Sequence, residues 1–485
     1  MMMNKKHLFS LLATSLLMSG TLSAAELETL ISSDNSQNVQ LSIYNDNLAF
    51  VRDTRKVNLH EGENKIAFEG VSSQIRPETA MLWGANVTVL EQNYDYNLMT
   101  PENILTNSVG KQVKTALYNE QSGETIYDTA QLIDASTYGR PVLKFAYGIE
   151  TNFPGRIIFE DIPSGLRNKP TLVVDVKSDS AQSGKNLELD YLTSGLSWRA
   201  DYVANLRKSD TLSLNGWVTL QNNSGIDYNN AQVQLISGQV RQVAPVAPRM
   251  LNASLYKASA GMAMDSVAES SVMATQEALS DYYLYTLPSK TTLKNQQTKQ
   301  VSLMEKKKVK YTKEYKLRSP LYLGSITREA EFEKANPEVV YVLQNTQANG
   351  LGEAMPKGTI RFFENDKNEQ MQFIGESNLS QLAVGEKAEL TLGTTSDIYA
   401  RGKTTVGTKI SDDISETSAE ITFNNAKPEA VEVEFSQNFG SLGWDIISES
   451  IKSEKKNIST AVWKVSVPAN GSETLRFKVR LNKKS

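Results

Sequence analysis

The sequence predicts an all-β protein, with multidomain β-sandwiches, a small β-barrel-like unit and a mobile insertion. Apolar residues alternate with polar ones in many segments, as at Val431, Val433 and Phe435, and a period of two is typical of strands with one buried face. Turn sequences such as NNSG and PANGSE interrupt these segments at short intervals, while amphipathic helical patterns are scarce. Short strands separated by frequent turns favour sandwiches and small barrels.

Residues 1–25 are predicted to be a secretory signal peptide. Lys5 and Lys6 precede an apolar run over Leu8–Met18, and small residues precede the cleavage site expected after Ala25. The apolar run is shorter than the roughly 20 residues that a transmembrane helix needs. We therefore expect an exported, periplasmic protein without a transmembrane anchor.

Composition limits the partners and the chemistry. The chain has no cysteine, so the sequence predicts no lipid anchor, disulfide or thiolate metal site. The formal net charge is −4, and loss of Lys5 and Lys6 with the signal peptide would make it about −6. Phosphate binding needs a basic face, so this balance argues against nucleic acid as the main partner.

Changes in sequence character divide the mature chain into four predicted domains. They are an N-terminal β domain (26–104), a small β-barrel-like domain (105–169), a central β-sandwich domain (170–403) and a C-terminal Ig-like β-sandwich (404–485). Trp444 and Trp463 are the expected core anchors of the last domain.

Residues 244–280 interrupt the strand pattern with a segment rich in Ala, Ser and Met. A stretch of this length without alternation predicts a flexible insertion. Its thioethers raise the hypothesis of a Cu(I) site, on Met250, Met262, Met264 and Met273. Soft-ligand sites usually add Cys or His, which this segment lacks, so no metal site is assigned.

The sequence predicts no catalytic or cofactor-binding residue and no cofactor. His60 is the one histidine left after signal cleavage, and its position in a turn after a strand is more typical of an exposed polar residue than of a catalytic base. The sequence contains no G-x-S-x-G elbow, no H-E-x-x-H and no phosphate-binding loop motif.

Paired carboxylates leave one catalytic alternative open, because a glycosidase needs only two acids across a cleft. The candidate pairs are Glu160 with Asp161, Glu188 with Asp190, and Asp412 with Asp413. Acids that alternate along strands usually face water, and that is the competing interpretation.

Glu364, Asp366 and Asn368 have a faint likeness to a calcium loop, but the central glycine and closing glutamate of an EF-hand are absent. A hairpin turn between Phe363 and Met371 explains the same residues.

A basic run with interleaved tyrosines is the candidate partner-binding segment. Its lysines are Lys306, Lys307, Lys308, Lys310, Lys313 and Lys316. They could contact anionic lipid or polysaccharide of the envelope. The alternative is a solvated strand face, whose lysines would also protect a sheet edge from pairing.

The stretch from Leu187 to Leu206 changes parity in its middle. Apolar residues occupy odd positions before Gly195 and even positions after it, which requires a turn or bulge there. Ser194 and Ser197 then lie in the turn and on the strand, with no histidine to activate them. Trp198 and Tyr202 are expected to point into a core.

This stretch and the one after it resemble a bacterial domain of unknown function that also forms the C-terminal half of the mucoidy inhibitor A proteins. The matching positions are Trp217, Asn222, Ser224, Gly225, Asp227, Tyr228, Asn230, Ala231, Leu235 and Gly238. The resemblance implies an all-β envelope protein and brings no catalytic residues. Mucoidy inhibitors are associated with control of capsular exopolysaccharide and carry a long coiled coil, whereas this chain has no sustained heptads.

Two functional hypotheses follow. The first is a non-enzymatic binding or scaffold protein of the cell envelope, whose partner is an envelope protein or polysaccharide. The alternative is a carboxylate-dependent hydrolase acting on envelope glycans.

Overall fold

The structure, a computed structural model, describes residues 28–135, 141–207, 209–238, 240–242, 274–279, 281–323 and 328–482. The predicted signal peptide and Met250, Met262, Met264 and Met273 lie outside these ranges. The described part is nearly all β, which confirms the predicted fold class. Its short helical elements are the α-helix α1 (Pro101–Thr106) and three 3-10 turns (Ser33–Asn35, Pro77–Thr79 and Gln347–Asn349).

The described residues fall into two compact units. One contains residues 1–37, 53–73 and 80–189 and the other residues 38–52, 74–79 and 190–485, each as far as it is described. We call them the first and the second unit; the four predicted domain boundaries stay predictions.

The strands up to residue 178 are β1 (Thr29–Ile31), β2 (Ser36–Tyr44), β3 (Ala49–Leu59), β4 (Gly62–Glu69), β5 (Met81–Trp83), β6 (Val87–Asp95), β7 (Gln112–Asn119), β8 (Glu124–Asp134), β9 (Val142–Phe145), β10 (Gly148–Glu150), β11 (Arg156–Ile158) and β12 (Thr171–Ser178).

Those up to residue 344 are β13 (Gln182–Thr193), β14 (Leu196–Arg207), β15 (Thr211–Asn222), β16 (Tyr228–Ser237), β17 (Thr275–Leu279), β18 (Tyr282–Thr286), β19 (Thr291–Leu293), β20 (Gln297–Arg318), β21 (Glu331–Ala335) and β22 (Glu338–Gln344).

The remaining strands are β23 (Gly358–Asn365), β24 (Met371–Leu379), β25 (Lys387–Thr394), β26 (Ile398–Thr404), β27 (Thr408–Lys409), β28 (Ile414–Asn425), β29 (Val431–Asn438), β30 (Gly443–Glu449), β31 (Glu454–Asn457), β32 (Thr460–Val467) and β33 (Gly471–Asn482).

The first unit contains a four-stranded sheet, in the order β1-β4-β12-β6, and a five-stranded sheet, in the order β10-β9-β8-β7-β11. The five-stranded sheet occupies the region predicted to be barrel-like. Its strands pair as neighbours, but β10 and β11 do not pair with each other, so the sheet is open rather than closed. One of its faces covers a small core that includes Val113, Leu132 and Phe145.

The second unit contains a ten-stranded sheet with the path β24-β23-β14-β15-β20-β29-β32-β31, which β22 and β25 extend. A six-stranded sheet runs β21-β26-β28-β33-β30, with β27 paired to β28. In a further sheet β17, β18, β16 and β2 follow one another.

The ten-stranded and six-stranded sheets of the second unit pack face to face as a sandwich. Phe435 and Trp463 from the former contact Phe423 and Phe477 from the latter, with ring centroids 5.6 Å (Phe423–Phe435) and 4.6 Å (Trp463–Phe477) apart. Trp463 is fully buried, as predicted, whereas Trp444 is half-buried and packs against the margin of this core.

Two local predictions have clear outcomes. His60 lies exposed in the turn between β3 and β4, as expected. The predicted insertion at 244–280 was expected to lack strands, but its end forms β17, which pairs with β18. Since β18 supplies a partner strand, pairing outweighs the weak alternation there. Among the described residues, no helix has both the length and the apolarity to cross a membrane.

The parity change between Leu187 and Leu206 is confirmed. β13 ends at Thr193 and β14 begins at Leu196, and Gly195 between them has a φ of +88°. Trp198 and Tyr202 are buried. The Gly195 N–H donates to Asn47 Oδ1 (2.8 Å), and its carbonyl accepts from the Asn223 N–H (2.6 Å), so the turn is fixed from both sides.

We expect Gly195→Ala to lower the free energy of unfolding by roughly 2–4 kcal/mol. The left-handed conformation alone costs a non-glycine residue about 1–2 kcal/mol. A Cβ would also stand 2.6 Å from Ser224 Cα, so backbone must move. Gly385→Ala is the matched control, because its φ is +92° but its Cβ would meet nothing within 4 Å. Urea unfolding of both variants separates the cost of the left-handed conformation from the cost of the steric collision. Equal losses of unfolding free energy in the two variants would contradict the collision.

Candidate ligand-binding cleft

The three candidate acid pairs do not meet in a cleft. Glu160 is exposed and forms an ion pair with Lys114 (Oε1–Nζ 2.7 Å), and Asp161 beside it is exposed as well. The hydrogen bond from Lys114 holds the pKa of Glu160 below its ordinary value. Asp412 is an exposed turn residue paired with Lys409, with Asp413 half-buried beside it.

Asp190 is the buried member of its pair. It accepts two hydrogen bonds from Arg52, at 3.1 Å from both Nε and Nη2, while Glu188 is half-buried on the same strand. A bidentate arginine neutralises a buried carboxylate, so this arrangement is that of a structural ion pair.

The calcium-like stretch is a hairpin turn, as the alternative interpretation predicts. Asp366 Oδ1 accepts from the backbone N–H groups of Asn368 (2.8 Å) and Gln370 (2.9 Å), and these bonds lower its pKa. Glu364 lies exposed on the strand before the turn. Within the described ranges, no three His, Asp or Glu side chains are grouped so that they could hold a metal ion.

The six candidate lysines all lie on β20, where the structure gives them different roles. β20 pairs with β15 from Gln297 to Lys310, with β22 from Tyr311 to Lys316 and with β29 from Tyr315 to Arg318, so Lys316 has a partner strand on each side. For the other five lysines, protection of an edge stays a prediction. Lys307 is exposed, and Lys313 lies over the rings of Tyr315 and Tyr341, at 5.9 and 5.7 Å from their centroids.

Two of the lysines are held by carboxylates. Lys306 Nζ donates to Glu353 Oε1 (2.9 Å), and Lys316 Nζ bonds both Glu389 (2.7 Å) and Glu314 (3.0 Å). Burial disfavours the charge of Lys316, but these two hydrogen bonds outweigh it and raise its pKa. The bond from Lys316, with help from Lys387, lowers the pKa of Glu389 to about 2. Ion pairs within the structure therefore already neutralise these two lysines.

Lys308 and Lys310 instead line a cleft of about 790 Å³ in the second unit. Its walls come from the end of β14, the turn into β15, the middle of β20, the end of β22 and the 3-10 turn after it. The lining residues are Arg207, Ser209, Asp210, Thr211, Lys308, Lys310, Tyr311, Thr312, Val342, Gln344 and Asn349. We call it the β20 cleft.

A bulge in β20 positions the lysines. Leu212 pairs with Val309 and Leu214 with Lys306, so Lys307 and Lys308 both lie opposite Ser213. The extra residue bends the strand and re-aims its side chains.

Gly350 allows the adjacent loop to approach this bulge. It has a φ of +86°, and a Cβ at this position would collide with the carbonyl oxygen of Lys308. The 3-10 turn that brings Asn349 to the cleft can therefore lie against β20 only with glycine here.

The charge of the cleft is predominantly positive. Arg207, Lys308 and Lys310 are exposed, and no carboxylate in the described part of the chain forms an ion pair with them. Asp210 is the acid of the lining, and its backbone carbonyl accepts from the Tyr311 N–H (3.1 Å). Burial, and then the charge of Asp210, raise the pKa of the Tyr311 hydroxyl, which stays a hydrogen-bond donor near neutral pH.

A second cleft of about 600 Å³ in the same unit lacks this surplus of cations. Its two cationic residues are already paired: Lys357 lies 3.7 Å from Asp46, and Arg199 lies 3.2 Å from Asp201. None of the three candidate acid pairs lines either cleft. The β20 cleft is therefore the better candidate for a charged ligand.

Sequence reasoning missed Arg207, Gln344 and Asn349. Arg207 reaches the cleft through the pairing of β14 with β15. Gln344 is the last residue of β22, which pairs with β20, and Asn349 lies in the 3-10 turn that follows. In the sequence, Arg207 directly follows the alternating apolar residues of β14. The end of that alternation was the signal that could have drawn attention to it.

Comparison with known proteins gives one family. A model described as a domain of unknown function, DUF4139, matches residues 187–483. The match begins within the Leu187–Leu206 stretch and includes every residue that lines the β20 cleft. No curated protein shows a significant match to the chain.

Proposed function

The chain belongs to the DUF4139 family, and we propose that it is an exported, non-enzymatic protein of the cell envelope that binds an anionic polysaccharide in the β20 cleft. The observation that carries this proposal is the placement of Arg207, Lys308 and Lys310, three cations that form no ion pair with any described residue, around one concave surface. A polymer with spaced carboxylates supplies the missing counter-charges, and Tyr311 and Asn349 offer hydrogen bonds to its hydroxyls.

Export and envelope location rest on the sequence. The basic and apolar pattern of residues 1–25 is that of a signal peptide. The resemblance to mucoidy inhibitor A proteins supports an envelope role connected with exopolysaccharide. Fractionation of cells that produce the full chain tests this part, and recovery of uncleaved protein in the cytoplasm would contradict it.

The binding test is a charge reversal in the cleft. We expect Lys308→Glu/Lys310→Glu to weaken binding of polygalacturonate at least about tenfold, because two attractions become repulsions. Isothermal titration calorimetry at low and high salt measures it, and the wild-type affinity should fall as salt rises.

Lys307→Glu is the matched control for this test. It changes the same charge on the same strand, but Lys307 does not line the cleft. We expect this variant to retain most of the affinity. If Lys307→Glu loses as much affinity per charge as the cleft variant, general surface charge is responsible and the cleft proposal is wrong.

A further inference from the structure

The open five-stranded sheet of the first unit has a face that its core does not use. Val113 pairs with Ala130 and Leu132 with Leu143, and these buried residues define the core side. Since successive side chains of a strand point to opposite faces, Lys114 and Tyr118 of β7 lie on the other side. We call that side the outer face.

Two tyrosines stand next to each other on the outer face. Tyr118 pairs with Thr125 and Tyr127 pairs with Ala116, so the two rings lie on neighbouring strands in diagonal positions. Diagonal neighbours are about 7–8 Å apart at Cα, within reach of aromatic side chains. Tyr118 is 61% exposed and Tyr127 is 66% exposed, so nothing in the described part of the chain covers them.

Cations lie on the same face as these rings. Arg156 of β11 pairs with Ala116 of β7, which pairs in turn with Tyr127 of β8, so Arg156 lies on the outer face two strands from Tyr127. Lys144 of β9 pairs with Gln131 of β8 and lies on the same face. Both are exposed, and neither forms an ion pair with any described residue. Lys114 on the same face is paired with Glu160. The outer face therefore combines two open aromatic rings with two uncompensated positive charges.

We propose that this outer face is a second carbohydrate-binding surface, which packs pyranose rings of an acidic oligosaccharide on Tyr118 and Tyr127 and binds its carboxylates with Arg156 and Lys144. The C–H face of a sugar ring packs on an aromatic ring, and a carboxylate bonds a guanidinium bidentately. Single-stranded nucleic acid is the competing ligand, because its bases also stack on aromatic side chains, and the test includes it.

The surface is tested in the full chain carrying Lys308→Glu/Lys310→Glu, so that binding at the β20 cleft does not contribute. The probe is tetragalacturonate, titrated by calorimetry. We expect measurable binding that falls about tenfold in a Tyr118→Ala/Tyr127→Ala variant, while Tyr118→Phe/Tyr127→Phe retains it because the rings remain. Thermal unfolding verifies that each variant is folded.

Tyr147→Ala is the matched control. Tyr147 is 69% exposed but stacks on Phe145, a residue of the core side, so it belongs to the opposite face. Absence of tetragalacturonate binding in the cleft variant, an unchanged affinity after removal of both tyrosines, or an equal loss in Tyr147→Ala would each overturn the proposal. Tighter binding of the oligonucleotide dT8 than of tetragalacturonate would overturn it in favour of single-stranded nucleic acid. Failure of the cleft proposal gives a different result, since Lys308→Glu/Lys310→Glu would then lower the wild-type affinity no more per charge than Lys307→Glu.

Discussion

Asp53→Ala will lower the free energy of unfolding by about 3–5 kcal/mol, since it leaves the guanidinium of Arg55 buried without its counter-charge. Arg55 is 1% exposed and Asp53 6% exposed, on the buried side of β3. Arg55 Nε and Nη2 lie 2.8 and 2.7 Å from Asp53 Oδ2.

The same arginine also satisfies backbone carbonyls. Its Nη1 donates to the carbonyl oxygens of Ile31 (2.8 Å) and Glu69 (2.7 Å), so it ties β1 and the end of β4 to β3. Its guanidinium also lies 5.6 Å from the ring centroid of Phe68. Loss of Asp53 therefore removes the counter-charge of a guanidinium that also joins three strands through its hydrogen bonds.

Urea unfolding followed by circular dichroism measures this loss. Glu160→Ala is the control in the same unit, because it removes an ion pair whose side chains are 55% and 63% exposed. Solvent screens exposed ion pairs, so we expect little change in the free energy of unfolding. Replacing both buried residues, as Asp53→Leu/Arg55→Met, should recover part of the stability. A loss below about 1 kcal/mol in Asp53→Ala would show that water reaches Arg55 and would contradict its burial.

This pair illustrates what alternation can and cannot predict. Val51, Val57 and Leu59 lie on the buried face of β3, and the same parity places Asp53 and Arg55 on that face. The period of two thus predicts that these residues are buried. It does not predict their contacts, because the carbonyls of Ile31 and Glu69 come from other strands.

The stretch around Gly195 was more predictable, because its signal is local. A change of parity within twenty residues requires a turn, and glycine is the residue that tolerates the left-handed conformation found there. That the five-stranded sheet is open was not predictable in the same way. It depends on whether β10 reaches β11, and the spacing of strands along a sequence does not fix the pairing of first and last.

The β20 cleft lies between these cases. Lys308 and Lys310 were among the predicted residues, but alternation alone does not distinguish them from Lys306 and Lys316, whose partners Glu353 and Glu389 lie 47 and 73 residues away. The sequence of β20 alone does not predict the bulge that brings Lys308 into the cleft either, because a bulge is a difference in residue number between two paired strands. Long-range pairing therefore decides which cations remain available.

Trp463→Ala will cost about 3–5 kcal/mol of unfolding free energy, the range for removal of a fully buried aromatic side chain. Trp463 is 0% exposed, and its ring lies 4.6 Å from that of Phe477 and 5.9 Å from that of Phe435. Its Nε1 donates to Glu449 Oε2 (3.0 Å), so the substitution also removes a hydrogen bond. The cavity would open where the two sheets of the sandwich meet, and β-sheets cannot collapse into it without changing register.

Trp444→Ala is the comparison, because the sequence predicted both tryptophans as anchors of one core. Trp444 is half-buried, stacks on Phe439 at 4.8 Å and donates to the carbonyl of Ile458 (2.8 Å). Less apolar area leaves water when it packs, so we expect a loss on the order of 1–2 kcal/mol. Urea unfolding of both variants ranks their losses of unfolding free energy. Trp463→Phe keeps an aromatic ring and removes the hydrogen bond, so it separates the two contributions. Equal losses for Trp444→Ala and Trp463→Ala would mean that the margin of the sandwich contributes as much as its centre, and burial would then be a poor guide to stability in this unit.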